Sequence, residues 1–201
     1  PVCGLGMYAN PGPESCGRPV RGGVPSACVA VGAAMIAALF VQPNGIYSRM
    51  EGVDLWPESR DARTYAGPWS VVGHPPCDRW SRLAHIHKRR AGKGMGDDGG
   101  CFAAALAAVE RWGGVLEHPA GSAAWPAFRL PEPGEGGAWQ RSLFRPGWSC
   151  LVEQGHYGHP APKATLLYFV GPEEPPPLRW GPSGATGRID LMPSAGPRRS
   201  A

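Results

Sequence analysis

At 201 residues, with 42% apolar and 18% charged positions, the chain is long enough for one domain with a sizeable core, and its average composition excludes a disordered polymer. A formal net charge of +4 neither requires nor excludes a nucleic-acid partner. The six cysteines, at 3, 16, 28, 77, 101 and 150, contain no CxxC pair and no zinc-ribbon spacing, so neither a metal knuckle nor a thioredoxin-like redox pair is indicated. Only Cys77, Cys101 and Cys150 fall in the central region, which argues for a reduced, cytoplasmic protein rather than a disulfide framework.

Glycine and proline divide the chain. They make up 12 of the 34 residues before Met35 and 12 of the 31 from Gly171 onward, against 30 of the 136 between, so the fold is expected in the middle. The expected organisation is a loosely ordered N-terminal extension over 1–34, a domain over 35–171 and a Pro/Gly-rich tail over 172–201. Ala27 to Val41 is a fifteen-residue apolar run, too short to span a bilayer, and Gln42-Pro43-Asn44 follows it in place of a small-residue cleavage site. No membrane segment is expected. The second half of the run reads as a buried first strand, and Met35 is a candidate natural start.

Further strands are expected at Gly52–Leu55, Ser70–Val72, Gly114–Leu116, Trp148–Glu153 and Ala164–Val170, after the first at Ile36–Val41. One helix is clear: Cys101–Trp112 is Ala-rich, Asp98 can cap its start ahead of Gly99-Gly100, and Gly113-Gly114 stops it. Short apolar runs mixed with a helix and Pro/Gly loops predict an α/β sheet covered on both faces.

The polar residues gather after the strands: Gln42-Pro43-Asn44-Gly45, Asp54-Leu55-Trp56, His74-Pro75-Pro76-Cys77 and Glu117-His118-Pro119. In open α/β sheets, ligands bind outside those carboxyl ends. Two prolines ahead of Cys77 fix the backbone and aim the thiol. Arg79, Arg82, Lys88, Arg89, Arg90 and Lys93 follow within sixteen residues, a basic run that favours a thiolate and would track phosphates if the partner is nucleic acid. Trp80 either stacks on a base or anchors the core. The alternative for the cysteine itself is a half-buried structural role.

Order and spacing add to this. Glu117 lies forty residues after Cys77, and Lys163, in Tyr157-Gly158-His159-Pro160-Ala161-Pro162-Lys163, lies forty-six after that, between the lead-in stretch Gly147–Val152 and the closing stretch Leu166–Gly171. This arrangement resembles the catalytic half of the cytosine-5 DNA methyltransferases: a Pro-Cys nucleophile loop, a Glu-Asn-Val motif, and a Tyr/Phe-Gly-x-Pro-Gln-x-Arg-x-Arg segment before a closing strand. The resemblance implies a Rossmann-like, methyltransferase-type, mostly parallel sheet flanked by helices. Its Cys77 would add to carbon 6 of a cytosine, its Glu117 would bond nitrogen 3 as an acid, and Lys163 would stand in for an arginine. The implied methyl donor is S-adenosylmethionine, held by Phe40, Asn44, Gly45, Asp54, Trp56 and Pro75. The implied partner is DNA or a cytosine nucleotide, contacted by Arg79, Arg82, Lys88, Arg89 and Arg90.

This chain departs from the family in several places. Glu117 precedes His118-Pro119, a single cation replaces two, the glycine loop after the first strand is poor, and fourteen residues separate Phe40 from Asp54, room for about one helical turn. Thirty residues follow Gly171, with no evident target-recognition domain, which suits a compact, phage-type version. Three alternatives stand beside it. One is a nucleic-acid-binding relative without catalysis, and another is a different nucleobase- or nucleotide-modifying enzyme using the same cysteine. The third is a metal site from Glu153, His156 and His159 with His74 or Cys77, disfavoured because Gly155 and Gly158 suggest a loop. A zinc deaminase fails because position 80 is Trp, where a second cysteine is needed.

Overall fold

The computed structural model of the chain describes residues 35–81, 84 and 94–188. The expected extension over 1–34 and residues 189–201 of the tail lie outside the described residues, as do Arg82, Lys88, Arg89, Arg90 and Lys93 of the basic run.

Seven strands form one mixed sheet: β1 Ile36–Leu39, β2 Val53–Trp56, β3 Ser70–Gly73, β4 Gly114–Pro119, β5 Gln140–Arg141, β6 Trp148–Glu153 and β7 Ala164–Val170. Among the described residues two α-helices can be given bounds, α1 Cys101–Trp112 and the single turn α2 Ala124–Ala127. The domain is therefore a small α/β unit, with strand order β2-β1-β3-β4-β7-β6-β5.

The expectation of a mostly parallel sheet needs correction. β1 pairs parallel with β2 and β3, and β3 with β4, but β4–β7, β7–β6 and β6–β5 are antiparallel. Connection length gives the reason. A parallel crossover takes a dozen or more residues, and only Gln154 to Lys163 join β6 to β7, so β7 must return against its neighbour. Two successive reversals leave β6 running in the direction of β4.

Helical cover is also narrower than expected. α1 buries Phe102, Ala105, Leu106, Ala108 and Val109 on one side, against Ala37, Leu39, Val71, Leu116, Leu166 and Tyr168, which share a face of the sheet through the alternation and register of their strands. Alanines let the helix sit close, so that a side chain on Gly73 would meet the Ala105 methyl at 3.5 Å. Trp125 of α2 and Phe128 join the same cluster. Each fully buried Leu or Phe there contributes about 1.5–3 kcal/mol over its exposed state. The opposite face is covered by irregular chain: Trp139 packs on Phe169 at 6.1 Å and on Trp180 at 6.3 Å, and its indole donates to the Pro176 carbonyl.

Asp98 begins α1 as the sequence predicts, though from further out. Gly100 occupies the cap position, while the Asp98 carboxylate accepts from the Gly100 and Phe102 amides at 2.9 Å and from the Trp80 indole at 2.8 Å. One carboxylate thus fixes both the helix start and the loop that carries Cys77. At the other end of the helix, the Tyr168 hydroxyl and Arg145 both donate to Glu110.

Gly114 is the tightest point of the sheet: with φ at 120°, a Cβ would lie 1.9 Å from the Val71 carbonyl oxygen. Gly114→Ala is therefore expected to lower the urea midpoint by the equivalent of about 1–3 kcal/mol or more. Gly94→Ala, where nothing lies within 4 Å, should leave the midpoint nearly unchanged.

Candidate active site

Strand direction decides which residues can meet. The carboxyl ends of β1, β3, β4 and β6 share one edge of the sheet with the amino end of β7, because β7 runs the other way. Cys77, Glu117 and Lys163 all sit on that edge, drawn from the loop after β3, from β4 and from the residue before β7.

Glu117 is the hub. Its Oε2 lies 3.1 Å from His74 Nδ1, while its Oε1 accepts from Gln154 Nε2 at 3.3 Å and pairs with Lys163 Nζ at 3.8 Å. The register places these groups together: Gly73 pairs with Leu116, so His74 stands beside Glu117, and Gln154 donates its own amide to the Lys163 carbonyl. Gln154 is held in turn by the Thr165 hydroxyl at 2.9 Å, and His74 Nε2 meets the Tyr47 hydroxyl at 2.8 Å. Burial pushes the Glu117 carboxyl up, but the His74 hydrogen bond and the charge of Lys163 outweigh it, and the group is held below the usual carboxylate range. An acid ready to donate was expected; the resting group is a carboxylate.

Cys77 is solvent-exposed as a residue, yet atoms crowding the sulfur push its thiol up. Its own backbone amide pulls it back, the charges of Glu117 and Asp78 raise it again, and Lys163 opposes them. The basic run was expected to favour a thiolate, and among the described residues Lys163 is the cation that acts on the sulfur. Arg79 is instead paired with Asp78, its side chain only 14% exposed. Trp80 is a core anchor, packed on Phe102 and Phe128 at 5.8 and 5.7 Å, and it pins the Cys77 loop from below. The sulfur and the carboxylate are thus electrostatically coupled on one side of the domain, with the proton resting on sulfur.

A second feature lies beside this network. A cavity of about 630 Å³ is lined by Phe40, Val41, Gln42, Pro43, Glu58, Asp61, Ala62, Arg63, Pro76 and Cys101. It opens between the loops after β1 and β3, where the order β2-β1-β3 changes direction, which is where open α/β sheets hold ligands. Phe40 and Asp61, two of the three non-glycine residues with positive φ among the described residues, line it.

Of the residues expected around a cofactor, Phe40 is on the cavity wall, whereas Asn44, Gly45, Asp54, Trp56 and Pro75 are elsewhere. Asn44 and Gly45 form the turn that starts the short 3-10 segment Ile46–Arg49. Asp54 accepts from the Trp56 indole and from Arg60, whose guanidinium stacks over Trp56 at 3.8 Å. Pro75 is buried and its neighbour Pro76 reaches the cavity. Glu58, Asp61 and Arg63 are the polar lining that sequence reasoning missed. Asp61-Ala62-Arg63 had one visible signal, an acid followed by a small residue just before an aromatic and a strand.

A smaller cavity of about 210 Å³ adjoins Cys77 on its far side, with Trp80, His118 and Ser122 in its wall. His118 is fully buried; its Nδ1 meets the Ser122 hydroxyl at 2.6 Å and its Nε2 has no hydrogen-bond partner among the described residues. Burial holds this imidazole below its ordinary value, so it is neutral.

The metal reading loses its ligands to other contacts. Glu153 accepts from the Ser183 amide, His156 Nε2 contacts the Gly181 carbonyl, and His159 turns back on Ala161. Among the described residues no group of three or more His, Cys, Asp or Glu is placed to hold a metal ion, and no helix is long and apolar enough to cross a membrane. No protein-family model, curated protein or solved structure matches this chain.

The Glu117 network has a pH signature. Its contacts hold the folded-state carboxyl below the unfolded value of about 4.3, so they add stability above that pH and lose it as pH falls through the folded value. The difference in urea midpoint between wild type and Glu117→Gln is expected to be largest near neutral pH and to shrink toward about pH 3. A gap constant across that range would show that Glu117 makes no ionic contact.

Proposed function

We propose that the chain is a compact cytosine-5 methyltransferase-like enzyme, on a Rossmann-like sheet, acting on DNA or a cytosine nucleotide. One observation supports the reading: a thiol, a carboxylate and an ammonium from three separated segments come together at the carboxyl edge of the sheet, the three kinds of group that the proposed chemistry needs. Strand order supports it, because the change of direction at β1 sets a nucleoside-sized cavity next to the nucleophile loop, and Pro76 of that loop is part of the cavity wall.

S-adenosylmethionine fits that cavity in size and in its polar lining. Glu58 and Asp61 would take hydroxyl or amino groups of the nucleoside part, with Phe40, Val41 and Ala62 against its apolar surface. The cofactor supplies an electrophilic methyl when bound. The remaining chemistry belongs to this chain. The Cys77 S–H proton passes to solvent and the sulfur bonds to carbon 6 of the ring; the electrons of the carbon 5–carbon 6 double bond shift to join carbons 4 and 5, and those of the carbon 4–nitrogen 3 double bond move onto nitrogen 3. Glu117 gives a proton to nitrogen 3, which keeps the ring from carrying a full negative charge. Lys163 and Gln154 hold Oε1 and so orient the carboxyl toward the ring. Once carbon 5 carried the methyl group, its proton would pass to solvent, the carbon 6–sulfur bond would break with its electrons left on sulfur, and nitrogen 3 would return the borrowed proton to Glu117.

The resting protonation states are opposite to those the addition needs: sulfur holds its proton and Glu117 lacks one. A binding-only relative is the second reading, and this resting state is the observation that favours it.

DNA or a nucleotide carrying 5-fluorocytosine separates the two, because fluorine cannot leave carbon 5 as a proton. With S-adenosylmethionine present, the expected result is a covalent adduct absent in Cys77→Ala and slowed about 10²–10⁴-fold in Glu117→Gln. Binding without an adduct would overturn the enzyme reading.

A further inference from the structure

Glu117 makes three contacts, and they are not equivalent. Gln154 Nε2 and Lys163 Nζ only donate, and both address Oε1. His74 addresses Oε2 with a ring nitrogen, which either donates or accepts. If Glu117 takes up a proton, Oε2 is the oxygen that can carry it without losing a contact, and His74 Nδ1 is the neighbour that can accept the resulting hydrogen bond. With Glu117 ionised, Nδ1 must carry the ring proton, so Nε2 is the acceptor and the Tyr47 hydroxyl is the donor at 2.8 Å. The three groups form one unbroken line from a half-exposed phenol to the carboxylate, across the β1–β2 connection, the end of β3 and β4.

We propose that His74 is the proton gate of Glu117, the contact through which the carboxylate exchanges its proton, with Tyr47 completing the path to solvent. The step balances. The His74 Nδ1–H bond breaks and a Glu117 Oε2–H bond forms; His74 Nε2 takes the Tyr47 hydroxyl proton, and the phenol oxygen takes one from a solvent acid, so the carboxylate is neutralised by one solvent proton and nothing is oxidised or reduced. The titratable groups around the gate are Glu117 on β4, Tyr47 before β2, Cys77 after β3 and Lys163 before β7. Burial and the Glu117 charge keep Tyr47 from ionising, which leaves its hydroxyl proton available for hand-over. The inference rests on the proposed ring addition only for its use; the exchange itself is a property of the folded chain.

His74 acts through Glu117 and is a positioning residue, so the test needs a signal that orientation alone does not move. His74→Gln is the informative variant: its amide can keep a donor on Glu117 and an acceptor for Tyr47, but it cannot pass a proton between them. In the full chain, acid released by a light pulse is followed by time-resolved infrared at the protonated-carboxyl band that Glu117→Gln removes. The band is expected to rise more slowly than wild type by about an order of magnitude or more in His74→Gln. Tyr47→Phe, which keeps the imidazole, should fall between and serves where His74→Gln fails to fold. Equal rates in wild type and in these variants, or no Glu117 band before the domain unfolds in acid, overturn the gate. The 5-fluorocytosine adduct should slow in parallel in His74→Gln, by about 10²–10⁴-fold, with nucleic-acid binding unchanged. If wild type forms no adduct, the ring-addition reading falls while the infrared rates still decide the gate.

Discussion

The reversal of β7 is the constraint on which the arrangement depends. Six of its residues stand opposite β4 and six opposite β6, all antiparallel, so its first residues lie at the edge where β3, β4 and β6 end. Had β7 run parallel to its neighbours, Lys163 would sit at the opposite edge, a strand length of about 3.3 Å per residue away. The ten residues between β6 and β7 are too few for a crossover helix, so a loop-length property written in the sequence places a cation beside Glu117. Gln154, which donates to the same carboxylate, and Thr165, whose hydroxyl holds Gln154, come from the two ends of that connection and are brought opposite one another by it.

Around Glu117 the balance of forces is local. A carboxylate whose side chain is only 17% exposed loses much of its hydration, and burial alone would favour the neutral acid. Two nitrogen donors and one imidazole compensate, and charge-assisted hydrogen bonds of this kind are about twice as strong as neutral ones. The same charge acts on Cys77 in the other direction, disfavouring a second anion nearby. The pair is coupled: protonating Glu117 removes one of the charges that keeps the thiol protonated. Delivery of a proton to the carboxylate and release of one from the sulfur therefore assist each other. A nucleophile beside a carboxylate would otherwise be an unfavourable placement.

Much of the framework was legible in the sequence because it is local. The helix Cys101–Trp112 and the strands Trp148–Glu153 and Ala164–Val170 have the expected boundaries, each bounded by glycine, proline or a polar loop. The Cys77, Glu117 and Lys163 set was legible through order and spacing. His74 was visible in the same stretch His74-Pro75-Pro76-Cys77, but its role depends on β3 lying beside β4 in a register that pairs Gly73 with Leu116, and a sequence does not state register across the forty residues, 74–113, that join the two strands. Asp54 and Glu58 show the same limit: both are acids near the end of β2, and which one reaches the cavity is decided by Arg60 and the Trp56 indole, which hold Asp54 away from it. Tyr47 had no signal at all, since its hydroxyl meets a residue twenty-seven positions later.

The tail was expected to be loosely ordered, and residues 172–188 indeed form no helix or strand, yet they are tied down. The Arg179 amide donates to the Tyr157 hydroxyl, His156 contacts the Gly181 carbonyl, the Ser183 amide donates to Glu153 and the Gly187 amide donates to the Pro160 carbonyl. Every one of these partners lies in or next to the connection that carries Gln154 and Lys163. Gly155 is part of the fit, because a side chain there would meet Ser183 Oγ at 2.1 Å. A short connection between two antiparallel strands is ordinarily among the mobile parts of a domain. Here the strap of tail covers it, so the two donors on Oε1 are held by chain on both sides, while the single loop that supplies His74 and Cys77 is held by Tyr47 and Trp80. The surroundings of Glu117 are thereby anchored from three places, the tail, Tyr47 and Trp80, and Trp80 ties them to the core helix through Phe102 and through the Asp98 that begins it.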